Sequence, residues 1–504
     1  MTISIPIPIP KDEDYVYPVS HLDLCKPLIS TTITHPAIII PAKLTSSIRA
    51  DLKKILMNRP KMRDIYALSP EVAHSDASID PKTERKVVLT NSNSEYPGEK
   101  IFQHPAIEKL FNDTNQDLAT VRKSSHDVVI GYDHFTVEEV LSKLLPKEHF
   151  TEIPSSFEVI GHLAHITLRE EYNPYKYIIG RAILDKNKGI QVVVNKTGTI
   201  QNEFRTFPME ILADDRKPRK ETSEKKKDGI DLNLLVEVKE DGCKFQLDFE
   251  KVYWNSRLQF EHRRIVHTIA GKERPTNMKK RELKKAAKDK DSDQDMKESS
   301  SSSQEKIIVA DACAGIGPFA VPLTSQFDHV EVYANDLNPE SYKYLEINSK
   351  LNKCNHGKKV ALHTYNMDGR YFLRKLDEDG IKYDHVLMNL PAIAPEFLNV
   401  FRGWKGDYNH RPMVHVHCFA AKVGGEEEAV KRCGRNLGCE LDMDKDEVYV
   451  HEVRNVSPKK NMYCVSFRLP EGVKEVEQVQ EFGAIVSNEN DDEDEEPPSK
   501  KLKA

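Results

Sequence analysis

From residue 306 to residue 470 the chain alternates short apolar runs with stretches of helical spacing. KIIVAD (306–311), HVEVYAND (329–336), KVALHTYNMD (359–368) and YDHVLMNLP (383–391) read as strands, and MVHVHCF (413–419) follows them. FAVPLTSQF predicts a short helix. Pro339 to Asn352, with Tyr344, Leu345, Ile347 and Leu351 on one face, predicts a longer one, as does Gly425 to Gly438. Strands that alternate with helices predict a mainly parallel sheet covered on both faces. DEVYVHEVRNV (446–456) and MYCVSFRLP (462–470) come without an intervening helix, which predicts an antiparallel edge.

Upstream the pattern changes. FEVIGHLAHITL (157–168), GIQVVVNKTGTI (189–200) and LLVEVKEDGCKFQLDFEKVYW (234–254) read as strands around a helical NPYKYIIGRAILD (173–185), an α+β unit. The front part pairs a strand-like HPAIIIPA (35–42) with helical TSSIRADLKKILM (45–57) and TVEEVLSKLLP (136–146). The polar stretch 214–228 reads as a long loop. Residues 272–305 have almost nothing to bury and read as a disordered insertion with a basic first half. The expected division is therefore an N-terminal extension (1–30), a small α/β domain (31–148), a middle α+β domain (149–271), the insertion (272–305), a Rossmann-like α/β domain (306–472) and a disordered acidic tail ending in lysines (473–504). No internal repeat is seen.

Composition narrows the classes. Of 504 residues, 38% are hydrophobic, enough for a sizeable core. The eight cysteines run singly from Cys25 to Cys464 without CxxC spacing, which fits a reduced protein rather than a disulfide scaffold. No run of about 18 apolar residues occurs, so no membrane span is expected. A net charge of −6 argues against a whole-surface polyanion binder and leaves local basic patches for any nucleic acid. MTISIPIPIP is a poor signal peptide, and an Arg-rich transit sequence is absent.

The chemistry gathers where the predicted strands end. DACAGIGPFA (311–320) leaves a strand and opens a helix, so Gly315 and Gly317 let backbone approach a ligand. Ala320 stands where a dinucleotide fingerprint needs its third glycine, which argues against a nicotinamide cofactor. The second strand ends in Asn335-Asp336, and an acid there accepts hydrogen bonds from adenosine ribose hydroxyls. The third ends in Asp368-Gly369, suited to an adenine edge, and the fourth in Asn389-Leu390-Pro391. Four strands ending in ligand-type residues point to a nucleoside-type cofactor.

That order resembles a class I S-adenosylmethionine-dependent methyltransferase, and Asn389-Leu390-Pro391 is similar to the motif of enzymes that methylate base nitrogens. With VYWNSRLQFEHRRI (252–265), EFRTFPMEILA (203–213) and YANDLNPES (333–341), the chain resembles, from about residue 30 to 470, the eukaryotic and archaeal tRNA guanine-37 N1-methyltransferases. Cys313 replaces the more usual Phe of the first loop. The resemblance implies S-adenosylmethionine held by His262, Asp311, Gly315, Gly317, Asp336, Leu337, Asp368, Gly369 and Asn389. It implies tRNA as partner, with residues 31–148 gripping its body. It also implies a protein that needs neither membrane nor metal, acts as a monomer, and supports reading-frame maintenance. The expected location is cytoplasm and nucleus with a mitochondrial matrix pool.

Guanine N1 carries a proton, so its lone pair is unavailable to the methyl sulfonium until a base removes it and the charge spreads to O6. By resemblance Glu261 is that base, Arg205 stabilises O6 and Asn389 orients the ring, while Tyr253, Arg257 and Pro391 shape the pocket. A carboxylate base predicts a rate that rises with pH until it ionises. The target must leave the anticodon-loop stack to reach it. On residue type alone Glu261 and Arg205 read as surface charges, and His415-x-His417-Cys418 as strand alternation rather than a zinc site. Two rivals stand beside methyl transfer. One is a wyosine-pathway transfer of the aminocarboxypropyl group from the same cofactor, against which Pro318 and Asn389-Leu390-Pro391 weigh. The other is a non-catalytic RNA-binding protein, against which Asp336 and Asn389 weigh.

Overall fold

The computed structural model describes residues 7, 16–59, 61–68, 82–112, 121–146, 152–198, 204, 206–216, 232–271, 305–356, 360–407 and 409–483. The chain forms two units, one of residues 1–197 and 209–224, the other of residues 198–208 and 225–504. The segment 149–271 is shared between them: its first strands belong to the first unit, and 225–271 to the second.

In the first unit, β1 (Thr31–Pro41), β2 (Ile65–Ala67), β3 (Glu84–Val88) and β4 (Arg122–Ile130) form an antiparallel sheet in the order β2-β3-β1-β4. The predicted helix over 45–57 stops at Leu52. Beyond it Met57 N–H bonds the Val88 carbonyl at 3.1 Å and Thr90 N–H the Ile55 carbonyl at 2.8 Å, so sheet partners take the backbone groups a helix would have used. The helix Val137–Leu144 starts on a capping box, Thr136 and Glu139 each accepting the other's backbone N–H. A second sheet runs β5 (Glu158–Ile160), β6 (Leu163–Ile166), β7 (Val192–Lys196), β8 (Met209–Asp214), with the helix Lys176–Lys186 crossing between the parallel β6 and β7. The single strand expected over 157–168 is instead the β5–β6 hairpin, turned by Gly161 at φ 58°.

In the second unit the run expected over 234–254 splits likewise into β9 (Leu235–Glu240) and β10 (Cys243–Asp248), reversing at Asp241-Gly242. The free edge of β10 is satisfied by two side-chain amides. Asn348 bonds the backbone of Gln246 and Asn352 that of Lys244, each as donor and acceptor, at 2.7–3.1 Å.

The main sheet contains β11 (Ile307–Asp311), β12 (Val330–Asn335), β13 (Leu362–Tyr365), β14 (His385–Met388), β15 (Met413–Ala421), β16 (Tyr449–Asn455) and β17 (Lys460–Arg468), in the order β13-β12-β11-β14-β15-β17-β16. The first five are parallel, and β17 inserts antiparallel between β15 and β16. The predicted Rossmann-like sheet and its antiparallel edge are both present. The sequence reading did not name the helix Gly369–Glu378, whose buried face is Arg370, Phe372, Leu373 and Leu376. Strand order reverses between β11 and β14, so the carboxyl ends open there on a crevice, the usual ligand position in such sheets.

The tail begins later than expected. Val473 is fully buried, and its carbonyl accepts the Gly403 N–H at 2.7 Å. Val473 and Phe482 join the core around Phe372 and Phe401, so residues 473–483 are part of the fold. The expected insertion, apart from Glu305, and the remainder of the tail lie outside the described residues. No described helix is long and apolar enough to cross a membrane, and all eight cysteines are free.

Candidate functional site

The loop after β11 is built for close approach. Gly317 takes φ 99°, and a Cβ there would lie 2.7 Å from Val321 and 2.8 Å from Leu345, so only glycine fits. Gly315 takes φ 55°, and a Cβ there would meet nothing within 4 Å; this is the face open to a ligand. Gly369 is needed for packing, since a Cβ would stand 2.9 Å from the Ala312 carbonyl oxygen.

Asp336 ties the loop to β12. One carboxylate oxygen accepts the Gly315 N–H at 2.8 Å and the other the Asn338 N–H at 2.9 Å. Burial pushes its pKa up to about 6 even so. Asp311 is fully buried, and no side chain among the described residues hydrogen-bonds its carboxylate; burial raises its pKa to about 8 against the opposing contact of the Cys313 backbone. Asp368 caps the helix Gly369–Glu378, accepting the Arg370 N–H at 2.8 Å and chelating the Arg370 guanidinium at 2.6 and 3.0 Å. Burial works against its ionisation, but Arg370 outweighs it and holds the carboxyl below its ordinary range. Leu337 is exposed. The side-chain oxygen of Asn389 is buried without a partner among the described residues, an acceptor awaiting a donor. The Pro391 carbonyl is pinned by the Phe419 N–H at 3.2 Å.

Asn335, which the sequence reading passed over for its neighbour, joins three strand ends. Its amide donates to the carbonyls of Ala312 and Met367 at 3.1 and 2.9 Å and accepts the Met367 N–H at 3.0 Å. Only its place before Asp336 gave it away.

Glu261 and His262 lie in the first turn of the helix Gln259–Ile269, on its buried face with Ile265, Val266 and Ile269. His262 Nδ1 sits 2.6 Å from Glu240 Oε1 on β9, and its ring meets Phe319 edge-on at 4.9 Å. His262 therefore backs the glycine loop through Phe319. Tyr253 and Arg257 are exposed just before this helix. Arg205 lies outside the described residues.

Glu261 is buried rather than on the surface. Arg264 donates to both its oxygens at 2.7 Å, and His417 Nε2 lies 2.8 Å from one of them. Burial opposes ionisation, yet the hydrogen bonds from Arg264 and His417 overcome it and bring the pKa to about 2. His417 shifts the opposite way: burial lowers it, Cys464 and Glu261 raise it, and it reaches about 10. The expected rise of rate with Glu261 ionisation thus moves to near pH 2, away from neutral conditions.

His417 and Cys464 are register partners on β15 and β17. Glu261, His417 and Cys464 each bring a potential metal-ligand atom within 4.8 Å of the others. The Arg264 guanidinium already occupies both carboxylate oxygens there. His415 instead bonds Ser466 Oγ at 2.8 Å. His417, Arg264 and Cys464 are members of this cluster that the sequence reading did not identify: strand pairing joins His417 to Cys464, and Arg264, one helical turn from Glu261, reads locally as a surface charge.

Comparison with known proteins bears on this geometry. A family described as the TRM5/TYW2 methyltransferase domain matches residues 289–443, and the TYW2 N-terminal domain matches residues 137–216. A tRNA (guanine(37)-N(1))-methyltransferase 1 of Phaeodactylum tricornutum is 43% identical over 443 residues, covering 86% of this chain and 85% of the relative. A tRNA (guanine(37)-N(1))-methyltransferase of Danio rerio is 32% identical over 463 residues, 90% of this chain and 82% of that one. Among solved structures, Trm5b of Pyrococcus abyssi matches with TM-score 0.51 at 22% identity, over 86% of this chain and 99% of its own. A complex described as aTrm5 and tRNALeu matches with TM-score 0.52 at 18% identity, over the same shares. These two show the shared fold.

Proposed function

This chain belongs to the tRNA (guanine(37)-N(1))-methyltransferase family, and we propose that it transfers the methyl group of S-adenosylmethionine to N1 of guanosine 37 in tRNA, next to the anticodon. One observation carries the reading. His417 touches Glu261 at 2.8 Å and packs 6.1 Å from the ring of Phe319, which directly follows the glycine loop. The proposed base and the proposed cofactor loop are therefore two sides of one cluster.

The residues present fit S-adenosylmethionine. The open face of Gly315, the Asp336 carboxylate and the unpaired oxygen of Asn389 offer backbone approach, ribose acceptor and amide acceptor. When bound, the cofactor supplies an electrophilic methyl on sulfur. Asn389 and Pro391 hold the guanine edge, Glu261 receives the N1 proton, and Arg205 stabilises the charge moved to O6. Because Arg264 and His417 keep Glu261 ionised, the carboxylate is always ready to accept but is a weak base. The O6 donor must carry more of the work by making N1 more acidic. The relatives' names favour methyl transfer over the aminocarboxypropyl alternative.

We further place the protein in cytoplasm and nucleus with a mitochondrial matrix pool, acting as a monomer, on the strength of the resemblance. The experiment that tests the function is primer extension on unmodified tRNA incubated with protein and S-adenosylmethionine. A stop at position 37 is expected, and it disappears when guanosine 37 is replaced by adenosine. A stop elsewhere, or a product whose mass carries an aminocarboxypropyl group, overturns the reading.

A further inference from the structure

The helix Gly369–Glu378, which starts at the Asp368 cap, is gripped by the chain's last described residues. Arg370 is 5% exposed. Besides chelating Asp368, it donates from Nη1 to the Gly483 carbonyl at 3.0 Å. Its guanidinium lies between two rings, 5.3 Å from that of Phe397 and 5.0 Å from that of Phe482. One turn further on, Arg374 donates to the carbonyls of Gln480, at 2.9 Å, and Val479. The Arg374 guanidinium stands 4.2 Å from the Phe482 ring, which Tyr371 meets edge-on at 5.2 Å. The Tyr371 hydroxyl also accepts the Phe482 N–H at 3.4 Å. At its other end the segment is fixed by the buried Val473 and by the Gly403 N–H on the Val473 carbonyl at 2.7 Å.

A tail merely tacked to a surface uses exposed, interchangeable contacts. Here the contacts fall on two arginines of one helix face, Arg370 and Arg374, and the buried Arg370 also holds Asp368. A buried guanidinium needs acceptors for its N–H groups and loses its fixed orientation without them. Without Phe482 and the Gly483 carbonyl, Arg370 has an unpaired Nη1 and one bare face, and water competes for the Asp368 carboxylate.

We propose that residues 471–483 are a strap belonging to the cofactor site, in which Phe482 and the Gly483 carbonyl hold Arg370 and so fix the Asp368 carboxylate for the nucleoside of the cofactor. This rests on the reading of Asp368 as a cofactor residue. Arg370 and Phe482 are positioning residues.

The test compares four versions of the otherwise full chain: Phe482→Ala, Phe482→Tyr, a truncation after residue 478, and a deletion of 484–504 that leaves the strap whole. S-adenosylmethionine affinity is measured by calorimetry, and KM for each substrate and kcat by methyl transfer to tRNA. Phe482→Ala and the truncation should weaken cofactor affinity and raise its KM about three- to tenfold, the scale of a lost desolvated cation–π contact. The value of kcat at saturating cofactor and the KM for tRNA should stay as in the wild type. Phe482→Tyr and the 484–504 deletion should bind cofactor normally. If the truncation fails to fold, Phe482→Ala against Phe482→Tyr decides. Asp368→Ala is measured alongside. If it leaves cofactor affinity unchanged, the reading of Asp368 falls and the strap's role with it. If Asp368→Ala weakens binding while Phe482→Ala does not, or if Phe482→Ala alters kcat or the tRNA KM instead, the strap inference alone is overturned.

Discussion

Arg264 closes on both oxygens of Glu261, one helical turn away, at 2.7 Å each. With His417 on the same carboxylate, the proposed base is held as a buried ion cluster. The cluster fixes the carboxylate's orientation at the cost of its basicity.

Removing one partner should be costly. Arg264→Gln leaves a buried carboxylate short of a counter-charge, and a broken buried pair typically costs about 3–5 kcal/mol. The pH dependence has a definite sign. The folded-state pKa of Glu261 is depressed to about 2 from 4.5, so its stabilisation is present above the unfolded value and lost as pH falls toward 2. Urea unfolding should therefore show a wild-type advantage over Arg264→Gln near pH 7 that shrinks between about pH 5 and 2. A pH-independent difference would contradict the cluster.

Asp336 should make cofactor binding pH-dependent. Burial raises its pKa to about 6, so below that pH it is protonated and loses its strength as a ribose acceptor. Calorimetry should find affinity for S-adenosylmethionine rising as pH passes upward through 6, with Asp336→Asn flat across that range. Asp336→Ala should lose about 1.5–3 kcal/mol of binding at pH 8. Unchanged affinity would remove Asp336 from the site.

Asp311 should cost the protein without cofactor stability as pH rises. Its folded-state pKa is raised from 3.8 to about 8, so the stabilisation from its protonated form is whole below the unfolded value and lost as pH rises through 8. Thermal melts of Asp311→Asn should show the gap over wild type widening from pH 5 to pH 8. A constant gap would mean that the carboxyl is hydrated or paired.

The sheet was legible because β11, β12, β14 and β15 are buried runs punctuated by turn chemistry, and their ends carry Gly315, Asp336 and Asn389. What failed was local. The runs 157–168 and 234–254 looked continuous because a hairpin turn at Gly161 or Asp241-Gly242 interrupts the apolar pattern by only two residues. The helix Gly369–Glu378 was missed because two of its first six residues, Arg370 and Arg374, are arginines whose acceptors, Asp368 and the 479–483 backbone, are partly remote in sequence. Glu261 was legible only through family resemblance. Its EHRR setting reads as surface, and its burial depends on His417, 156 residues away. Packing of the helix Gln259–Ile269 against β15 created that neighbour, and no local pattern announces it.

The most direct test of the mechanism is the single-turnover rate of methyl transfer to guanosine 37 by wild type and Glu261→Gln, followed from pH 5 to pH 9. Gln keeps the shape but offers Arg264 and His417 one acceptor oxygen in place of two, and it cannot take the N1 proton. The account predicts a rate about 10²-fold slower, the low end of a general base's contribution because the carboxylate is a weak base, with cofactor and tRNA affinities retained. It also predicts no wild-type acid limb from Glu261 in this range, because the carboxylate ionises near pH 2. A Glu261→Gln enzyme that methylates at the wild-type rate, or a wild-type acid limb that this substitution abolishes, would contradict it.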